Sequence, residues 1–116
     1  MLTQRVKFQD YGGTDHLICP RCGSEYLHHG EVERWDRPED AKTVRYTRAA
    51  AEETETRTLG DDESVNPSSR RSGLVVSFEC EGCGGGQPGN RIELCIAQHK
   101  GNTEIEWRFH PKPTTS

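Results

Sequence analysis

Apolar residues in this chain alternate with polar ones over short runs and nowhere sustain a helical spacing, a pattern that predicts strands. The clearest run places Ile92, Leu94 and Ile96 on one face, then Gly101-Asn102, then Ile105, Trp107 and Phe109. With Gly101-Asn102 as a two-residue turn, Lys100 opposes Thr103, Gln98 opposes Ile105, Ile96 opposes Trp107 and Leu94 opposes Phe109, so every apolar side chain meets the same face. The other face then pairs His99 with Glu104, Ala97 with Glu106 and Cys95 with Arg108, and reads as a solvent side or a half-covered one. A second alternation, Leu74, Val76 and Phe78 against Val75, Ser77 and Glu79, runs from Gly73 straight into Cys80.

Leu17 and Ile18 lead into Cys19, and Tyr26-Leu27-His28-His29 leads away from it toward Val32 and Trp35, strand chemistry with a bulge signalled at Gly30. Thr43-Val44-Arg45-Tyr46-Thr47 alternates β-favouring residues and adds a strand. Met1 to His16 carries Val6 and Phe8 between polar residues and then Gly12-Gly13, which fits an edge strand or a mobile arm. From Arg34 to Ser72 the chain is charged and rich in Thr and Ser. Arg48 to Glu55 has helical propensity but no apolar face to bury, and Ala51 to Ser69 is expected to be a solvated loop because so polar a stretch does not offset its ordering entropy. Residues 48–72 are therefore expected to form a flexible polar insertion, GGGQPGN at 84–90 a flexible turn, and residues 111–116 a mobile tail.

Length and composition sharpen this picture. The chain has 116 residues, 30% hydrophobic and 29% charged, so residues 1–116 are expected to fold as a single domain with a small core in need of further stabilisation. A formal net charge of −4 argues against indiscriminate coating of nucleic acid or anionic membrane. The N-terminus has no apolar signal-like segment and no stretch approaches the roughly 18 apolar residues of a membrane span, so a cytoplasmic protein with no membrane partner is expected.

The missing stabilisation is supplied by Cys19-Pro20-Arg21-Cys22-Gly23 and Cys80-Glu81-Gly82-Cys83-Gly84. Each is a C-x2-C turn, whose two thiolates converge on one ion, and together they complete the four-thiolate shell that structural Zn2+ prefers. Glycine after each second cysteine permits a positive φ that turns backbone N–H groups toward the sulfurs. One structural Zn2+ held by Cys19, Cys22, Cys80 and Cys83 is expected, worth roughly 10–16 kcal/mol in apparent binding free energy. Two disulfides plus a free thiol is the competing scheme, and a rubredoxin-like iron centre uses the same four sulfurs for electron transfer. Cys95 is left without a partner in every scheme and reads as a small packing residue.

The strings CPRCGSEYLHH, NPSSRRSGL, FECEGC and IAQHKGNTEIEW, about a third of the chain, resemble small zinc-ribbon proteins of actinobacteria and their phages. The resemblance implies a small all-β fold: a zinc-ribbon type antiparallel sheet with two C-x2-C knuckles and, here, a long polar insertion between them. It implies the same four cysteine ligands and carries no activity with it. Gly84-Gly85-Gly86 and the acidic Asp61-Asp62-Glu63 run depart from the pattern.

The remaining candidates bear on function. His28-His29 and Asp15-His16 invite a metal-dependent nuclease, in which histidine activates water. Adjacent histidines on a strand face opposite ways, however, and no second Asp, Glu or His cluster stands at ligand spacing, so no enzyme is expected; one histidine is expected instead near the metal-bound sulfurs as a donor. Trp35 and Trp107 read as core before they read as base-stacking rings. Asn66 to Gly73, NPSSRRSG, is a solvated loop or a fork of Arg70 and Arg71 that grips phosphate or carboxylate. Two functions follow. The first is an accessory binding module that contacts nucleic acid, or a nucleic-acid-processing enzyme, through Arg70, Arg71, His99 and Lys100. The second is a protein-interaction or inhibitory factor of phage type that turns its acidic loop toward a basic protein partner.

Overall fold

A computed structural model describes residues 2–10, 12–61, 64–83 and 90–111. Its strands are β1 (Leu2–Gln4), β2 (Phe8–Asp10), β3 (Asp15–Leu17), β4 (Leu27–Asp36), β5 (Thr43–Ala49), β6 (Thr54–Gly60), β7 (Gly73–Cys80), β8 (Asn90–His99) and β9 (Asn102–Pro111), with a 3-10 turn at Glu81–Cys83. Seven form a single antiparallel sheet in the order β1-β9-β8-β7-β4-β5-β6, and β2 pairs with β3 in a separate hairpin. The all-β, zinc-ribbon type expectation holds. The N-terminal stretch forms the three short strands β1, β2 and β3, of which β1 lies at the sheet edge.

A bulge in β4 decides how the sheet buries its side chains. Leu27 faces Cys80 and His29 faces Phe78, but Val32 faces Val76, so Gly30 and Glu31 together oppose Ser77. The extra residue reverses the alternation. Before the bulge odd-numbered residues of β4 look toward the cysteines; after it Glu33 and Trp35 look the other way. Two cores result, one on each face. The first gathers Cys19, Cys80, Ile92, Leu94 and Trp107, with Val76 and Phe78 packed beside them; the second gathers Trp35, Val44, Tyr46, Val75 and Cys95.

The β8–β9 hairpin keeps its predicted faces but not its predicted register. His99 pairs with Asn102, Ile96 with Ile105, Leu94 with Trp107 and Ile92 with Phe109, two residues away from the expected alignment. The turn is Lys100-Gly101, with Lys100 at φ 56°, and the Gln98 side-chain amide donates to the carbonyls of Lys100 and Asn102 at 3.3 and 2.9 Å. An offset of two preserves every facing relation, because strand alternation has period two.

The face expected to be solvated or half-covered is buried. Arg108 stands opposite Glu93, not Cys95, and donates to its carboxylate at 2.9 Å; Cys95 is 1% exposed. Its cover comes from the segment after β6. Arg108 donates to the Val65 carbonyl at 2.8 Å, Ser68 Oγ to that of Gln98 at 2.8 Å, and Asn66 and Pro67 press so closely on Gly73 that a Cβ there would meet Pro67 at 2.8 Å.

The solvated-loop reading of Ala51 to Ser69 is thereby corrected. Within it β6 pairs with β5 over seven residues, Thr54 opposite Ala49 through Gly60 opposite Thr43. Threonines at 54, 56 and 58 favour an extended strand, Leu59 packs on the Trp35 core, and Arg48 answers Glu31 and Glu53 at 3.1 and 2.8 Å. Propensity and edge pairing suffice where burial is slight. Asp62, Glu63 and residues 84–89 and 112–116, which include most of the expected flexible turn and tail, lie outside the described residues.

Candidate metal centre

The first knuckle is a tight turn. Cys19 N–H donates to the Ser24 carbonyl at 2.8 Å and Gly23 N–H to the Cys19 carbonyl at 3.0 Å, with Gly23 at φ 79° as its missing Cβ permits. The counterpart Gly84 falls outside the described residues. The second knuckle begins where β7 ends: Cys80 is its last residue and Cys83 closes the 3-10 turn.

These turns bring four sulfurs together. Cys19 Sγ stands 3.7 Å from Cys83 Sγ and Cys22 Sγ 3.5 Å from Cys80 Sγ, and all four lie within 4.8 Å of one another. Sulfurs about 2.3 Å from a tetrahedral ion are spaced about 3.8 Å apart, so the cluster can hold a metal ion. Each close pair joins the two knuckles, whereas a disulfide requires contact at about 2.0 Å. The donor set is all sulfur, with Cys19 and Cys80 buried, Cys83 half-buried and Cys22 exposed.

Backbone and charge tune these thiols. Arg21 N–H reaches Cys19 Sγ at 3.4 Å. The Ser24 N–H, with the neighbouring thiols, lowers Cys22 to about 7. Burial pushes the thiols of Cys80 and Cys83 upward. Thiolates held this close repel one another, and a cation bound among them would offset that repulsion.

Contacts that sequence spacing did not reveal hold the knuckles in place. Gly82 lies so close to the first knuckle that a Cβ on it would stand 2.8 Å from Ser24 Cβ and 3.1 Å from Cys22 Sγ. Arg21 places its guanidinium 5.1 Å from the centre of the Phe109 ring, and Gln4 donates to the Pro20 carbonyl at 3.1 Å. The C-x-G-C string hints at the glycine, but only the packing shows why it is needed.

The histidines divide as strand geometry requires. His28 meets Glu81 of the second knuckle at 2.6 Å, so it braces the turn through a carboxylate and not, as expected, through sulfur. His29 stands edge-on to Phe78, ring centres 6.4 Å apart, and His16 is 3.9 Å from Glu25.

The expected binding residues lie at the opposite end of the sheet. Gln98 N–H donates to the Ser72 carbonyl at 3.0 Å, which brings the Arg70-Arg71 loop beside the hairpin end with His99 and Lys100. The loop is not an open fork: Asn66 and Ser68 tie it to Arg71. Arg70 clasps Asp40 with two hydrogen bonds of 2.8 and 2.6 Å and holds that carboxyl below its usual pKa, and Arg71 pairs with Glu39. Of the acidic run, Asp61 accepts from Arg37 at 3.4 Å. No helix among the described residues is long and apolar enough to cross a membrane. No protein-family model, curated protein or solved structure matches the chain.

Proposed function

We propose that the protein is a small accessory binding module built around one structural Zn2+ at Cys19, Cys22, Cys80 and Cys83, with nucleic acid or a nucleic-acid-processing enzyme as its partner. The observation that carries this reading is the all-sulfur cluster within 4.8 Å. Four thiolates fill a tetrahedral shell and leave no open position for substrate, so the ion acts on folding and not on chemistry. The resemblance to small zinc-ribbon proteins of actinobacteria and their phages agrees with it.

The partner half rests on where cations are available. Arg70 and Arg71 are engaged by Glu39 and Asp40, so phosphate contact there requires breaking those pairs. Arg5 and Lys7 line a cleft with Cys19 and Pro20 of the first knuckle and make no ion pair among the described residues. Arg21 adds a third cation, and Phe8 and Tyr26 are 53% and 64% exposed. Cations that grip phosphates and exposed rings on which bases stack suit a single strand.

Titration of labelled single-stranded and duplex nucleic acid at low ionic strength tests this. Three phosphate contacts give a slope of log K against log salt of about −2.7 on duplex DNA and less on single strands. Binding is expected to fall in R5A/K7A/R21A and to persist in R70A/R71A. Absence of binding by the wild type, or equal binding by the triple variant, rejects this contact surface and favours a protein partner.

A further inference from the structure

β6 closes one side of the main sheet, and no described strand pairs with its outer edge. The strand runs seven residues in unbroken register with β5, and it carries neither the proline nor the lysine that commonly blunts an edge. Its central sequence, Thr54-Glu55-Thr56-Arg57-Thr58, reverses its charge about Thr56.

Two copies laid antiparallel about Thr56 place Thr54 opposite Thr58, Thr56 opposite itself, and Glu55 opposite Arg57 on both sides of the axis. Centring on Glu55 or Arg57 sets like charges against each other, which is unfavourable. A one-residue slip puts the threonine face of one copy against the charged face of the other. A single register therefore combines matched faces with opposite charges, and it has the two-fold symmetry of an isologous dimer.

The side chains concerned are exposed and already ordered. Glu55 and Arg57 side chains are 43% and 59% exposed, with Arg57 Nε 3.1 Å from Glu55 Oε1, and the guanidinium lies 5.4 Å from the centre of the Tyr46 ring. Contacts with Glu55 and Tyr46 order Arg57 in the free chain, which reduces the entropy lost when a second copy docks.

We infer that β6 is a dimerisation edge, which pairs with β6 of a second copy of this chain in the register centred on Thr56 and joins two seven-stranded sheets into one. One strand pair buries little area, so association is concentration-dependent. The inference needs neither the identity of the metal nor a nucleic-acid partner.

Sedimentation equilibrium on the metal-loaded full chain tests it. The apparent mass is expected to rise with concentration from 13.1 kDa toward twice that value. E55R and R57E, each of which sets like charges opposite each other at two places in the dimer, are expected to weaken association by about tenfold or more. The double variant E55R/R57E restores the opposition of charges and is expected to return association close to the wild-type level. Tryptophan emission verifies that all three variants are folded. A wild type that stays at 13.1 kDa up to about millimolar concentration, a dimer indifferent to the single reversals, or a folded double variant that stays monomeric overturns the inference. An edge reserved for a strand of another protein gives the first of these results.

Discussion

Gly82 of the second knuckle rests on Ser24 of the first, with room for no more than hydrogen between them: a Cβ on Gly82 would lie 2.8 Å from Ser24 Cβ and 3.1 Å from Cys22 Sγ. The two turns that supply the sulfurs thus touch through a residue that is not a ligand. Gly82→Ala is expected to push Cys22 away from Cys80 and to weaken metal affinity by about 10–100-fold, the range for lost support around a metal site. Competition with a coloured chelator measures it; unchanged affinity would show that the knuckles yield freely.

Trp107 anchors the core beside the cysteines. It is fully buried, faces Leu94 across the hairpin and meets the Phe78 ring edge-on at 5.6 Å. Trp107→Ala is expected to cost roughly 3–5 kcal/mol, a large share of what a small domain possesses. Denaturant unfolding of the metal-loaded variant checks the value. Because Trp35 is also fully buried, the folded protein should emit as buried indole throughout, and a maximum typical of free indole would contradict both placements.

The hairpin shows what alternation determines and what it leaves open. Facing relations depend on whether a position is odd or even, so alternation puts Leu94 and Trp107 on the face they occupy while the expected turn pairs each with a residue two positions off. Register depends on which residues turn the chain, and Lys100 at φ 56° takes a place that composition assigns to glycine. The same offset concealed the Glu93–Arg108 pair, since the expected alignment set Arg108 opposite Cys95. The cysteine cluster was legible because C-x2-C spacing is a local constraint. Arg70 and Arg71 were not, because the carboxylates that engage them sit at positions 39 and 40, brought near only by the crossing of the segment after β6. β6 itself has almost no apolar signal; its neighbour β5 and its threonines make it a strand.

Cys95 belongs to the core, and its chemistry should follow. Burial pushes its thiol up to about 12 from an ordinary value of 9.0. It is therefore protonated in the fold at neutral pH and should resist thiol reagents at pH 8 until the protein is denatured. The sign of the pH effect is fixed: the folded thiol holds its proton when the unfolded one has lost it, so this contribution to stability is complete below about 9 and disappears as pH rises from about 9 to about 12. Rapid labelling of Cys95 in the native, metal-loaded protein, read by peptide mapping, would contradict its burial.

An ion held by all four cysteines would join segments near residues 19–22 and 80–83 and close a long loop whose entropy in the unfolded chain is large. Chain and ion should therefore fold together. Cys80→Ser is expected to lose both the metal and the cooperative unfolding transition.

The most direct test is elemental analysis of protein purified without chelator, followed by circular dichroism and melting before and after chelation. One zinc per chain, lost on chelation together with the β-sheet spectrum and the melting transition and regained on adding Zn2+, is the predicted result. Protein free of zinc and iron, or a chelated protein with unchanged spectrum and melting, would contradict the account; one iron per chain, visible as colour, would keep the cluster and replace its ion.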